Sequence, residues 1–321
     1  MKKKNTHGLR LSLSYDKCLK ESNPLKNITT LVKDIHLVLD NGKIDPSLID
    51  EFTTSLGKLL KSRFNGEKET PSLRMSNFGK PNRQLWYSIN QPDKAEPLRP
   101  EVKLKFLYGD IVEHMMLLLI KASGHTVKGE QDELNINGLK GHRDAIVDGV
   151  LVDVKSASSY AFDKFAYGKL KDDDAFGYID QLSLYLTASQ DDVDVKKQAA
   201  FVAVNKENGK IAVDTHTLES KDYNKELTAK RGMLAEPTPP DRCYDDVEDG
   251  KSGNRKLGVN CSYCPFKHTC WPGLRTFISK GEAPKYLTKV VREPNMAEIV
   301  DGKITTKENK IENNSLPGYR F

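Results

Sequence analysis

The chain has 321 residues, 37% of them hydrophobic and 30% charged, a balance that fits a folded globular protein and excludes a disordered one. Its longest apolar run, Met115 to Ile120, is six residues, which excludes a transmembrane helix. Fifty Lys and Arg against 45 Asp and Glu leave a net charge of +5, which permits a polyanionic partner without demanding one.

The basic start Met1-Lys2-Lys3-Lys4-Asn5 is followed by no apolar segment, so no secretory signal, no membrane association and a cytoplasmic location are expected. Residues 1–70 read as an N-terminal helical extension. Asp45-Pro46 supplies an N-cap and a proline at the first helical position, and Leu48, Phe52, Leu56, Leu59 and Leu60 follow at helical spacing. Residues 71–90 carry Arg74, Ser76, Arg83, Trp86 and Tyr87 among turn formers. Residues 99–123 read as one long helix with Pro100 at its start, Gly124 past its end, and apolar positions at Leu104, Leu107, Ile111, Met115 and Leu118.

Residues 141–155 read as a β-hairpin turning at Asp148-Gly149. That turn pairs Val147 with Val150, Ile146 with Leu151, Ala145 with Val152, Asp144 with Asp153 and His142 with Lys155. One face then carries Arg143, Ala145, Val147, Val150, Val152 and Val154; the other carries His142, Asp144, Asp153 and Lys155, with Ile146 and Leu151 nearer the turn. Two opposed carboxylates destabilise a sheet unless compensated. Lys155 supplies one positive charge, and a divalent cation with a preference for oxygen, Mg2+ or Mn2+, suits the remainder. A solvated face of an ordinary hairpin is the alternative.

Glu113, beside His114 and four residues after Gly109, is a candidate third acidic ligand, or the polar residue of an amphipathic helix. A glycine within a helix is most easily tolerated where a backbone or ligand approaches closely. Residues 174–188 read as a helix with Asp174 as N-cap; Tyr178, Gln181 and Tyr185 share one face, and Ile179, Leu182 and Leu186 form a packing stripe beside it. Phe201–Val204 and Lys210–Val213 read as strands joined at Glu207-Asn208-Gly209. From Pro237 a loop-rich module begins, with Cys261, Cys264 and Cys270 within ten residues, a clustering that reads as a metal site in a chain without an export signal.

Glu113, then Gly141-His142-Arg143-Asp144, then Asp153-Val154-Lys155, then Tyr178, Gln181 and Tyr185 resemble, in order and spacing, the RecB-like branch of the PD-(D/E)XK nuclease superfamily, over about Leu73 to Trp271. The resemblance implies an α/β restriction-endonuclease-like core, a central mixed sheet flanked by helices. The divisions expected are the helical extension to residue 70, the nuclease core at 71–235, a small cysteine module at 236–285 and a polar tail at 286–321. It further implies metal-dependent DNA hydrolysis. Asp144, Asp153, the Val154 carbonyl and Glu113 would be ligands of Mg2+ or Mn2+. Lys155 would orient or deprotonate the attacking water, Gln181 and Tyr185 would position Lys155 and substrate, and His142, Tyr178 and Arg83 would bind substrate. An exonuclease of the kind carried by phages, acting on linear or single-stranded DNA beside recombination or replication proteins, is the leading expectation. A structure-specific endonuclease and a non-catalytic nucleic-acid-binding assembly subunit stay open. No Gly-x4-Gly-Lys-Ser/Thr phosphate loop occurs, so no motor is expected.

The triplet Cys261-x2-Cys264-x5-Cys270 is similar to that of iron–sulfur RecB-like nucleases, whose fourth cysteine precedes an arginine before the core. Here Asn82 precedes Arg83. Cys243 is the preferred fourth ligand and Cys18 the alternative, for a [4Fe–4S] cluster or for Zn2+, with His268 as a further zinc candidate. Lys256, Lys267, Arg275, Tyr263, Phe266 and Trp271 are candidates to grip single-stranded nucleic acid.

Overall fold

The structure is a computed structural model that describes residues 26–66, 70–174, 176–192, 195, 197–218, 222–280, 283–300 and 302–305. Cys18 and residues 306–321 of the expected tail lie outside them.

In chain order, α1 (Leu31–Asn41) and α2 (Pro46–Asn65) come first, followed by the short α3 (Met75–Phe78), α4 (Asn82–Asn90) and the long α5 (Pro100–Ala122). Asp45 caps α2 by accepting from the Ser47 N–H at 2.9 Å, with Pro46 behind it. No residue of α2 is buried; it lies along α5. The burial stripe of α5 departs from the expected one. Met116, Leu117, Leu119 and Ile120 are buried, whereas Leu104 and Met115 face solvent.

The strands β1 (Val127–Lys128), β2 (Glu133–Ile136), β3 (Leu139–His142), β4 (Ala145–Val147) and β5 (Val150–Ala157) follow. Next come α6 (Ser159–Ala166), α7 (Tyr178–Ala188), β6 (Gln198–Asn205), β7 (Ile211–Thr217) and α8 (Asn224–Ala235). The central sheet runs β1-β4-β5-β6-β7 and is mixed, with β5 and β6 parallel and the other pairs antiparallel. The parallel pair needs a long crossover, which α6 and α7 provide. Val150, Val152, Val154, Ala200 and Val202 pack with α1 and α5, while Leu151, Ala199, Phe201 and Ala203 pack with α6, α7 and α8. The period-two alternation therefore fills both faces.

The hairpin has the expected register from Val147↔Val150 to Ala145↔Val152, with φ of 51° at Asp148 and 77° at Gly149, both positive as a tight two-residue turn requires. It is shorter than expected. His142 ends β3, which pairs with β2 in a separate two-stranded sheet and sets His142 opposite Glu133. The break falls at Arg143, whose buried guanidinium bonds Asp132 at 2.7 Å, Asp192 at 2.9 Å and the Gly129 carbonyl at 3.2 Å. The expected N-cap Asp174 lies outside α7, which begins at Tyr178, yet its carboxylate accepts from the Tyr178 and Ile179 N–H groups at 2.9 and 2.8 Å. At the same end, Gly177 (φ 72°) packs so closely on Gly79 that a Cβ on it would lie 2.8 Å from the Gly79 Cα.

The C-terminal region holds β8 (Val247–Glu248), β9 (Arg255–Lys256), α9 (Val259–Ser262), α10 (Lys267–Cys270), β10 (Arg275–Ile278), β11 (Lys285–Lys289), β12 (Ala297–Val300) and β13 (Lys303–Thr305). These strands form a second sheet, β13-β12-β10-β11-β9-β8. Ordered strands thus replace the polar tail expected from residue 286 as far as Thr305. Arg275 holds that sheet together by pairing with Glu298 at 2.6 Å and Glu293 at 2.8 Å. Among the described residues no helix is long and apolar enough to cross a membrane.

Candidate active site and cysteine cavity

Three chain segments bring acidic and basic groups together beside the central strand β5. Asp153 and Lys155 alternate with inward Val154 along β5. The Lys155 ammonium lies 2.5 Å from Asp153 Oδ2, the two side chains being 19% and 3% exposed. Asp153 Oδ2 has that ion pair and no hydrogen bond. Asp144, in the link before β4, accepts from the Val154 N–H at 2.7 Å. Glu113 projects from α5 and accepts from the Gln131 amide at 2.5 Å.

The mutual charge of these groups is visible in their proton affinities. Burial pushes the Asp144 carboxyl well above the usual carboxylate range, and Asp153 and Glu113 add to it. Burial likewise pushes Glu113 up to about 7, with Asp153 and Asp110 contributing. Burial works against the charge of Lys155, but Asp153 and Asp144 outweigh it and hold the ammonium above its usual range. The cluster is thus an acid-rich pocket with one internal cation.

Tyr178, Gln181 and Tyr185 share a face of α7, as the spacing predicted. The Tyr178 ring lies 4.8 Å beneath the Lys155 ammonium, a cation–π contact. Gln181 donates to the Tyr185 hydroxyl at 3.0 Å. Burial raises Tyr185 to about 12, with Asp153 and Asp144 also acting on it. Gly141 makes room for this: a Cβ there would lie 2.7 Å from Tyr185 Cε1 and 2.8 Å from Met75.

Two expected substrate contacts fall elsewhere. His142 is exposed on the small β2–β3 sheet across from Glu133, because Arg143 turns the chain between it and Asp144. Arg83 lies in the cysteine region, donating to the Pro240 carbonyl and, at 3.4 Å, to the Tyr87 hydroxyl. Gln131 was missed by sequence reasoning. Its φ is 56°, unusual for a non-glycine residue, its N–H donates to the Asp144 carbonyl at 3.3 Å, and its side chain holds Glu113. Only its place in the Gly129–Asp132 turn hints at it. Gly109 has no protein atom within 4 Å of the position its Cβ would take, so no neighbouring backbone accounts for it.

The donor chemistry suits a divalent cation in kind: the Asp153 charge raises the proton affinity of Asp144 and Glu113, and Lys155 is the cation paired with Asp153. Each acid already bonds a protein group, and among the described residues no three His, Cys, Asp or Glu side chains form a group that could hold a metal ion.

Cys243, Cys261, Cys264 and Cys270 line one cavity with Arg83, Tyr87 and Trp271, and none forms a disulfide. Burial pushes the Cys264 thiol up to about 11, with Cys261 and Cys270 adding to the rise. Cys261 is raised by burial and by Cys270 and Cys243. Three thiols on one cavity match in kind the ligands of a thiolate-bound metal, and Cys243 joins them there. His268 does not, since its Nδ1 faces Glu96 at 2.5 Å and its Nε2 faces Thr276 at 3.0 Å. The expected nucleic-acid grip of this module is largely spent on packing. Lys267 pairs with Glu96, Arg275 with Glu293 and Glu298, Lys256 with Asp249 at 3.4 Å, and Phe266 is buried against Tyr87 at 5.4 Å.

No family model matches the chain, and no curated protein matches it. A solved structure, that of SSO0001, aligns at a TM-score of 0.38 and 18% identity, covering 69% of this chain and 96% of that one, a likeness too slight to carry any argument. The architecture that stands is the mixed α/β sheet flanked by helices.

Proposed function

We propose that this chain is a RecB-like PD-(D/E)XK deoxyribonuclease that hydrolyses phosphodiester bonds with Mg2+ or Mn2+, acting as an exonuclease. The observation that carries the reading is the convergence of Glu113, Asp144, Asp153 and Lys155 from α5, the β4 approach and β5 into one cluster in which the Asp153 charge acts on the other three. Asp144, Asp153 and Glu113, with the Val154 carbonyl, would hold the cation. When bound, it supplies positive charge that lowers the pKa of a water and offsets charge on the transferring phosphoryl group. Lys155, kept protonated by Asp153 and Asp144, orients the attacking water and faces the developing charge. Tyr178 fixes the height of the ammonium, and the Gln181–Tyr185 pair closes the wall beside it.

Cys243, Cys261, Cys264 and Cys270 would hold a [4Fe–4S] cluster, or Zn2+ in its place. Bound there, it supplies a covalent staple for a segment of short strands and helices.

The test is cleavage of end-labelled linear single- and double-stranded DNA beside a covalently closed circle, in Mg2+, Mn2+ or chelator, with Asp153→Ala in parallel. Metal-dependent loss of linear DNA alone, absent in the variant, supports the exonuclease. Cutting of the circle moves the reading to an endonuclease. Binding without cleavage in any metal moves it to an assembly subunit.

A further inference from the structure

The first half of α5 carries a surface that the packing of the core leaves unused. Counting back from Glu113 in steps of four, three, four and three gives Gly109, Phe106, Val102 and Arg99, the spacing of one helical face. Phe106 is 57% exposed, and it sits about 10 Å along the axis from Glu113. Gly109, between them, has open space above it. Lys103 and Lys105 flank the stripe, both exposed. Of the acids close in sequence to Arg99, Lys103 and Lys105, Glu101 lies on the same segment, Glu96 is engaged by Lys267 and His268, and Asp110 is engaged by Arg63 at 2.6 Å. This is an aromatic and basic face that runs directly into the carboxylate cluster.

A second exposed aromatic reaches the same cluster through Tyr178. Phe176 is 64% exposed and stacks on Tyr178 at 5.5 Å with 29° between the rings. Tyr178 in turn carries the Lys155 ammonium. Lys155 therefore has an exposed ring near it from the turn before α7, through Tyr178, and a second exposed ring on α5 beyond Glu113.

We infer that Phe106 and Phe176 are base-stacking platforms beside the site, and that Arg99, Lys103 and Lys105 guide the phosphates of an unpaired polynucleotide strand along α5, over Gly109, to Glu113. The occupant is single-stranded nucleic acid. Paired bases offer no free ring faces to Phe106 and Phe176, whereas an unpaired strand offers one per nucleotide. The excess of cations on this segment matches a polyanion, and a smooth floor at Gly109 lets a backbone pass close to the helix. This deepens the nuclease reading by assigning its strand-entry surface, and it rests on that reading for the direction of travel.

The experiment uses the full chain in chelator, with fluorescence anisotropy of a labelled twenty-residue oligothymidylate and of a blunt hairpin duplex. Phe106→Ala and Phe176→Ala should each weaken oligothymidylate binding roughly 5- to 100-fold. Phe106→Trp should restore it and Phe106→Leu should not. Lys103→Ala and Lys105→Ala should each lower the slope of log affinity against log salt by about 0.7. Circular dichroism melts verify folding of each variant. Aromatic variants that bind the single strand as wild type does overturn the inference. So does Phe106→Ala splitting a dimer, seen by light scattering, with oligothymidylate binding unchanged, since the face then covers a second copy. Hydrolysis of thymidine 5′-(p-nitrophenyl phosphate) by wild type and by Asp153→Asn is scored separately. Its absence in every metal sinks the nuclease reading while leaving the strand-binding result to stand or fall alone.

Discussion

Gln131 donates its side-chain amide to the Glu113 carboxylate at 2.5 Å, tying the turn before β2 to the acid of α5. That bond lowers the proton affinity of Glu113, against the burial and the neighbouring Asp153 and Asp110 charges that push it up to about 7. Gln131→Gly removes the bond and relieves the positive φ of 56°. The expected outcome is a folded protein whose activity in Mg2+ rises with pH through a more alkaline midpoint than in wild type. A pH–rate profile of both proteins checks this; an unshifted midpoint counts against Glu113 as the titrating acid.

The same raised proton affinity predicts how stability of the metal-free protein depends on pH. The folded state holds a proton on Glu113 that the unfolded chain releases near pH 4.5, so stability falls as pH rises from about 4.5 to about 7. The loss is on the order of 3 kcal/mol. Glu113→Gln should flatten this segment of a urea-denaturation series, and Mg2+ should restore stability at pH 8 in wild type but less in the variant. Asp34, Glu96, Asp246 and Asp249, held below the usual range, act oppositely and lose their contribution only as pH falls below about 4.

Lys155 and its carboxylates should separate in their effects on folding, although the proposed function demands all of them for cleavage. Asp144→Asn removes one of several mutually repelling acids and should raise the melting temperature without metal. Lys155→Met leaves the nearly inaccessible Asp153 without its cation, and should lower stability by about 3–5 kcal/mol. Full cleavage by Lys155→Met would falsify the assignment of the site.

Two glycines should respond in opposite directions. Gly109→Ala has room for its Cβ and should stabilise α5 by about 1 kcal/mol. Gly177→Ala strains a φ of 72° and drives a Cβ to 2.8 Å from the Gly79 Cα, so it should destabilise, detaching α3 from α7. Thermal melts of the two single variants test the pair.

Cys243 and Cys18 make distinguishable demands. With the four cysteines of the cavity as ligands, Cys243→Ala in anaerobically purified protein should lose bound iron or zinc, measured by elemental analysis, whereas Cys18→Ala should retain it. The reverse result assigns the fourth ligand to Cys18.

Much of the core was legible because its signals are local. Asp45-Pro46 specifies the start of α2, Asp148-Gly149 specifies the hairpin turn, and the valine alternation of 147–154 specifies which face meets α5. The place of Asp144 beside Asp153 and Lys155 followed from that register. What was not legible depended on partners distant in sequence. Arg143 leaves the hairpin because Asp132 and Asp192 draw it away, and neither is identifiable from alternation. The C-terminal sheet has strands of two to five residues and is held by ion pairs such as Arg275–Glu298, which leave no periodic trace. The apolar spacing of α5 includes Leu104 and Met115, which meet water, because periodicity shows which residues share a face and not what covers it.

The wall of the cysteine cavity formed by α4 and the wall formed by the cysteines themselves are made far apart in time. Trp86 donates its ring N–H to the Glu236 carbonyl at 3.0 Å across 150 residues, and Arg83 reaches Pro240 across 157. At about 5–20 residues per second of synthesis, α4 emerges from the ribosome roughly 8–30 s before its partners exist. Every residue of the carboxylate cluster is already made by then, so the chemical centre can assemble while Trp86 and Tyr87 still await their cover. Nascent chains stalled before residue 236 should consequently expose this aromatic pair to chaperones, and those released after residue 270 should not.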